Sequence, residues 1–223
     1  MGNADSMKWP GKIGMNLKAE RSNHWKSIDY LALDLELTGL DLQRDEIISI
    51  GSVEIQNGRV LGSSQFYQEI KPGQNPSIAS MQIHGLRALD LADAKTLKEI
   101  VPELRTHMSG KVLIAHAAWI ERAFLHPHLH GSFPSRVIDT AALARACGYG
   151  ERTPGHEPSL EFLARELNLP VYSPHHALGD ALTTAVVFLA LASELEKQNK
   201  EKEGAQLSFS SLLTISKRHL VKK

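Results

Sequence analysis

Asp34 and Glu36 stand two residues apart in the run YLALDLELTGLD, residues 30–41. Strand alternation turns both carboxylates to one face and Leu33, Leu35 and Leu37 to the other. Two neighbouring acids repel, and a strand backed by leucines leaves three remedies: a bound cation, a shared proton, or water at a strand end. His175 and Asp180 form a second group in HHALGDALTTAVVF. A helix from Ala177 that buries Leu178, Ala181, Leu182, Ala185 and Leu189 leaves Asp180 on a neighbouring face of its first turn, where the helix dipole favours an anion. His175 precedes that helix on a loop. Imidazole exchanges a proton near neutral pH, so His175 suits a general base, although ordinary cap chemistry also puts histidines there. Glu121 opens a helix after a buried strand in LIAHAAWIERAFL; by itself it reads as a surface acid partnered by Arg122.

Periodicity and turn residues supply the elements that hold these groups. The first strand stops at Thr38-Gly39. EIISIGSVEI (46–55) and RVLGSSQFYQEI (59–70) follow, separated by Asn57-Gly58, a pair that tolerates positive φ and predicts a tight hairpin. Three antiparallel strands result. Thr96-Leu97-Lys98-Glu99 is a capping box that starts a helix, and Ser109-Gly110 ends it. A short buried strand at 111–115 leads into a helix over 118–129. After Val137-Ile138, helical patterns cover 140–147, 159–167 and 177–197. Antiparallel strands followed by strands alternating with helices predict an α/β architecture, a mixed sheet flanked by helices.

The chain has 223 residues, 42% apolar and 22% charged, which suits one globular domain rather than a low-complexity or collagen-like chain. Its 25 basic and 25 acidic residues cancel only overall: residues 29–204 hold 16 Lys/Arg against 23 Asp/Glu, and both flanking segments are basic. An acidic core is a poor phosphate binder unless cations supply the positive charge. Cys147 has no disulfide partner, fits a reducing, cytoplasmic setting, and reads as a buried inert thiol. The longest strongly apolar run, Ala185 to Ala192, is far short of the about 20 residues of a membrane span, and the N-terminal residues show no secretory signal. No membrane contact is expected.

Taken in order, these segments resemble the DEDDh exonuclease superfamily, which includes the proofreading subunit of bacterial replicative polymerases. The likeness covers about residues 29–193. The motif Asp-x-Glu followed by Thr-Gly stands as Asp34-Leu35-Glu36-Leu37-Thr38-Gly39. His116-Ala117-Ala118-Trp119-Ile120-Glu121 matches the second motif, with Glu121 in place of its Asp and Ala117 in place of its Asn. His175-His176-Ala177-Leu178-Gly179-Asp180-Ala181 matches the third. Ile83-His84-Gly85-Leu86 looks like the nucleotide-contacting loop, and Val137-Ile138-Asp139-Thr140 like the strand before the later helices. The resemblance implies a ribonuclease H-like fold with a five-stranded sheet and two divalent metal ions, Mg²⁺ or Mn²⁺. By family position Asp34 bridges the metals, Glu36 and Asp180 hold the one carrying the attacking water, Glu121 is the remaining acid, and His175 takes the water's proton. Thr38 and the strand backbone at Leu35, with Ile83 and His84, would seat the terminal nucleotide. The implied activity is 3′ to 5′ hydrolysis of single-stranded DNA or RNA to nucleoside monophosphates. The rival is a relative that binds nucleic acid or a polymerase without cleaving.

Outside the domain at 29–197, residues 1–28 read as an arm around Trp9 and Trp25, and 198–223 as a charged linker with a basic amphipathic segment. Gln206-Leu207-Ser208-Phe209 resembles a sliding-clamp docking peptide, set against a helix folded back through Phe209, Leu212, Leu213 and Leu220. His126-Pro127-His128-Leu129-His130 lacks acidic or thiolate partners for zinc and reads as a surface loop.

Overall fold

Asn57 and Gly58 both sit at positive φ, 51° and 69°. They close the hairpin between β2 (Ile47–Gln56) and β3 (Arg59–Glu69) in the computed structural model of the chain, which describes residues 23–129, 131–150 and 157–218. β1 (Tyr30–Leu37) lies antiparallel to β2 on its other side. β4 (Val112–Ala115) and β5 (Val137–Asp139) then add in parallel, giving the order β3-β2-β1-β4-β5. This is the mixed five-stranded α/β sheet expected from the sequence.

Seven helices flank the sheet among the described residues: α1 (Ile78–His84), α2 (Leu97–Met108), α3 (Trp119–Leu129), α4 (Thr140–Ala146), α5 (Leu160–Glu166), α6 (Ala177–Glu203) and α7 (Phe209–Arg218). The Thr96 capping box is formed, with the Glu99 carboxylate accepting from the Thr96 N–H at 2.8 Å. Strand alternation divides the core in two. Leu31, Leu33, Leu35 and Leu37 face α2 and α3, packing with Ile100, Leu104, Phe124 and Leu125. Tyr30 and Ala32 face the opposite way, toward Leu143, Leu163, Phe188, Leu191 and Phe209. α6 lies along that second face and carries Asp180 in its first turn.

The segments before and after the expected domain belong to this second core. Trp25, fully buried, meets Phe188 edge-on at 5.9 Å. The Trp25 N–H donates to the Leu207 carbonyl at 3.3 Å, and the Phe209 N–H to the Asn23 carbonyl at 2.9 Å. Leu207 and Phe209 are 1% exposed, so the side chains that a clamp-docking peptide would present are inside the protein. Trp9 and Leu220 lie outside the described residues.

Other local differences have simple causes. Ile83 and His84, read as part of a loop with Gly85 and Leu86, close a helix over residues 78–84 that the Ser77 side chain starts and Gly85 ends at φ 76°. α6 runs on to Glu203, because the charged stretch continues the helix to Gly204 in the left-handed region. His126, Pro127 and His128 are exposed but lie in the last turns of α3, not in a loop; His130 lies outside the described residues. α6 is long and apolar enough to cross a membrane, with a mean hydropathy of 1.5 over 18 residues. Its Ala181, Ala185, Phe188, Leu191 and Ala192 are instead buried in the core. Cys147 is half-buried, and burial pushes its thiol up to about 12, which keeps it protonated.

Candidate active site

The carboxylates of Asp34, Glu36 and Asp180 each offer an oxygen within 4.8 Å of the others. Two come from alternate positions of β1; the third arrives on α6 because of Gly51. A Cβ at Gly51 would lie 2.1 Å from the backbone of Ala177 and Leu178. Only glycine on β2 lets the first turn of α6 rest on the sheet beside Asp34, its direct cross-strand partner. Gly179 does the same for the loop before the helix. A Cβ there would sit 2.4 Å from the carbonyl oxygens of Tyr172 and Ser173.

Burial and mutual repulsion push these acids toward neutrality. Asp34 is raised well above the usual carboxylate range, by burial first and then by Glu121, Asp180 and Glu36. Burial, with help from Asp180, brings Glu36 to about 7. Asp180 rises to about 6 through burial, opposed by the His175 N–H that donates to its Oδ2 at 3.0 Å. A divalent cation would reverse this balance, and an all-oxygen donor set suits hard ions such as Mg²⁺ or Mn²⁺.

Glu121 does not pair with Arg122, since adjacent helical residues point apart. It is 2% exposed, lies outside the tight trio, and its Oε2 has no hydrogen-bond partner. Burial raises it well above the usual range, with Asp139 adding repulsion. An orphaned buried carboxylate oxygen whose charge is felt by Asp34 is what a second cation would satisfy.

A cleft of 310 Å³ opens beside these groups, lined by Asp34, Leu35, Glu36, Ile83, His84 and Glu121 among others. Leu35, Ile83 and His84 are among the residues that line it. Thr38 is 1% exposed, and its hydroxyl donates to Asp45 Oδ1 at 2.8 Å while accepting the Glu46 N–H. It ties down the turn after β1 and does not line the cleft. His175 is exposed, and holds a left-handed φ of 59°. A larger cavity of 780 Å³ before the starts of β4 and β5 is lined by Arg105, Lys111 and Arg136 and by no acid; Lys111 there is paired with Glu54 at 3.3 Å.

Two residues of the site were given no role by the sequence, although His116 stands at the head of the second motif. His116 lines the cleft, but its Nε2 donates to the Pro158 carbonyl at 2.9 Å, which leaves Nδ1 to accept from the Thr140 hydroxyl at 2.9 Å. Burial lowers it to about 4, so it is a neutral brace and no base. Gly51 had a visible signal: an isolated glycine inside a strand pattern marks a close approach of another backbone.

The sequence profile described as exonuclease matches residues 31–188, a stretch containing every acid above and His175. The chain belongs to the exonuclease family. A PolC-type DNA polymerase III of Thermotoga petrophila is 31% identical over 177 residues, covering 78% of this chain and 12% of the relative. A DNA polymerase III subunit epsilon-like protein of Rhodobacter capsulatus is 32% identical over 187 residues, covering 81% of this chain and 26% of the relative. The chain thus spans between 12% and 26% of the length of these curated relatives. Exonuclease X, solved with 5′-overhanging duplex DNA, superposes with a TM-score of 0.59 at 21% identity over 82% of this chain and 99% of its own. Escherichia coli exonuclease I, solved with a dT13 oligonucleotide, gives 0.63 at 13% identity over 78% of this chain and 42% of its own. These likenesses show the ribonuclease H-like fold.

Proposed function

We propose that this exonuclease removes nucleotides one at a time from the 3′ end of single-stranded DNA or RNA, releasing nucleoside monophosphates. The observation that carries the reading is the Asp34–Glu36–Asp180 cluster, two of whose acids, Asp34 and Glu36, line an open cleft, with His175 on an exposed loop bonded through its backbone N–H to Asp180. Two divalent cations, Mg²⁺ or Mn²⁺, fit the donors: Asp34, Glu36 and Asp180 for one, Asp34 and Glu121 for the other. When bound, such ions supply Lewis acidity toward the scissile phosphate and offset the charge of its oxygens. An imidazole nitrogen of His175 takes the proton of the attacking water, and the loop's exposure lets that proton leave to solvent. Ile83 and His84, at the end of α1, and the backbone at Leu35 seat the terminal nucleotide. A purely binding relative would have no need of both the full acid set and an exposed histidine beside it. The names of the curated relatives support a cytoplasmic enzyme working within reach of a polymerase.

Digestion of 5′-labelled single-stranded DNA and RNA, each with Mg²⁺ or Mn²⁺, tests this. The labelled strand should shorten stepwise, Asp34→Ala should be inactive, and His175→Ala should be slower by about 10²- to 10⁴-fold. Immediate release of the 5′ label, or full activity in either variant, refutes the assignment.

A further inference from the structure

His175 sits at φ 59° although it is not a glycine, a backbone state that costs about 1–2 kcal/mol and persists only where neighbours enforce it. Three contacts surround it. Its N–H donates to Asp180, and Gly179 lets the carbonyls of Tyr172 and Ser173 press on the helix start. The third is a ring stack: Tyr67 and His176 lie 4.4 Å apart at 24°.

The sheet register explains why Tyr67 is in reach. Asp34 pairs with Gly51, and Gly51 pairs with Tyr67, so the three form one row across β1, β2 and β3. Directly opposite residues share a face. Gly51 is the gap in the row on which the start of α6 lies, with the Asp34 carboxylate on one side and the Tyr67 ring on the other. His176 is the N-cap residue of α6, and its side chain makes no capping bond. Its ring is therefore left to stack on Tyr67.

We propose that Tyr67 is a positioning residue: by stacking on His176 it fixes the start of α6 sideways and keeps the adjacent His175 aimed at the water over the carboxylates. This rests on the reading of His175 as the base. Tyr67 itself touches no reacting atom. Aromatic stacks of this kind change equilibria by about twofold to tenfold, which sets the size of the effect.

The full chain is compared in four forms, the parent, Tyr67→Ala, His175→Ala and the double variant, with Tyr67→Phe as the conservative control. Steady-state digestion of single-stranded DNA in Mn²⁺ is the assay, with melting temperature recorded alongside. Tyr67→Ala should lower kcat roughly threefold to tenfold with KM within about twofold. Tyr67→Phe keeps the ring and should keep most of the rate. Adding Tyr67→Ala to His175→Ala should cost little more, because both act through one group. The histidine ring resonances of His176 should also shift in Tyr67→Ala and stay in Tyr67→Phe. Full kcat in Tyr67→Ala, or an equal loss with and without His175, overturns the proposal. His175→Ala at the parent's rate overturns the base assignment instead, and the two failures are told apart by that single variant.

Discussion

Asp34→Asn is expected to abolish cleavage and yet stabilise the cation-free protein above neutral pH. Burial and repulsion hold Glu36 near 7 and Asp180 near 6, and push Asp34 well above the usual range. A carboxyl whose folded value is raised carries more protons folded than unfolded. The stability it lends is complete below its unfolded value, near pH 4, and is lost as pH rises through its folded value. For Glu36, displaced from 4.5 to about 7, about 1.4 kcal/mol for each pH unit gives a loss of roughly 3 kcal/mol by about pH 8. Asparagine at 34 cannot ionise, so it removes the part of this pH-dependent loss that Asp34 contributes through burial and repulsion, for a gain of about 1–2 kcal/mol at about pH 8. At about 2–4 °C per kcal/mol for a chain this long, that is several degrees in melting temperature. Calorimetry in EDTA between about pH 5 and about pH 8 is the assay, followed by Mn²⁺ titration. The parent should lose melting temperature as pH rises and regain it with Mn²⁺, by about 2.7 kcal/mol at a hundredfold excess over Kd. Asp34→Asn should show a shallower slope and little Mn²⁺ response. A parent flat across this pH range in EDTA, or an Asp34→Asn protein melting lower than the parent at about pH 8, refutes the reasoning.

Gly51→Ala drives a methyl into the backbone at Ala177, so it should destabilise by about 1–3 kcal/mol and cut activity at least tenfold by moving Asp180 off the sheet; a soluble, fully active Gly51→Ala enzyme would contradict the packing. Ala117 holds φ 56°, so Ala117→Gly should raise the melting temperature slightly and Ala117→Val should lower it through a destabilisation of about 1–2 kcal/mol, with equal melting temperatures counting against strain there. Glu121→Gln keeps the shape and removes the charge; it should melt higher than the parent in EDTA and weaken the Mn²⁺ response, and an unchanged Mn²⁺ titration would take Glu121 out of the metal site.

What could be read in the sequence was local or alternating. Asp34 and Glu36 shared a face because strand period is two, Asn57-Gly58 announced its hairpin, and Thr96 to Glu99 capped its helix. α1 was invisible because it exposes Ile78 and Ile83 and buries only Ser80, so it has no apolar stripe to find. Glu121 is buried and feels Asp139 and Asp34, brought near it on two other strands, and no short window of sequence contains that. Thr38 carried the right letter for its motif, but its hydroxyl is satisfied by Asp45 across a turn, which only coordinates reveal. The Phe209–Leu212 face was legible as a helix folded back on the domain, but its meeting with Trp25 and Leu207 was not, because those contacts join distant parts of the chain.

That last contact sets the order in which the protein can be completed as it is made. Residues near Trp25 leave the ribosome well before Leu207, Phe209 and Leu212, which close their side of the core. Contacts of such long sequence separation form late, because the whole intervening loop must be ordered or spanned first. Until about residue 212 is free of the exit tunnel, Trp25, Tyr30 and Phe188 have an incomplete lid, and the nascent chain depends on chaperones or on speed to escape aggregation. Phe209→Ala should then lower soluble yield from cells more than its effect on the rate of the purified enzyme would suggest. Equal yield from parent and variant would show that the core closes without its last helix.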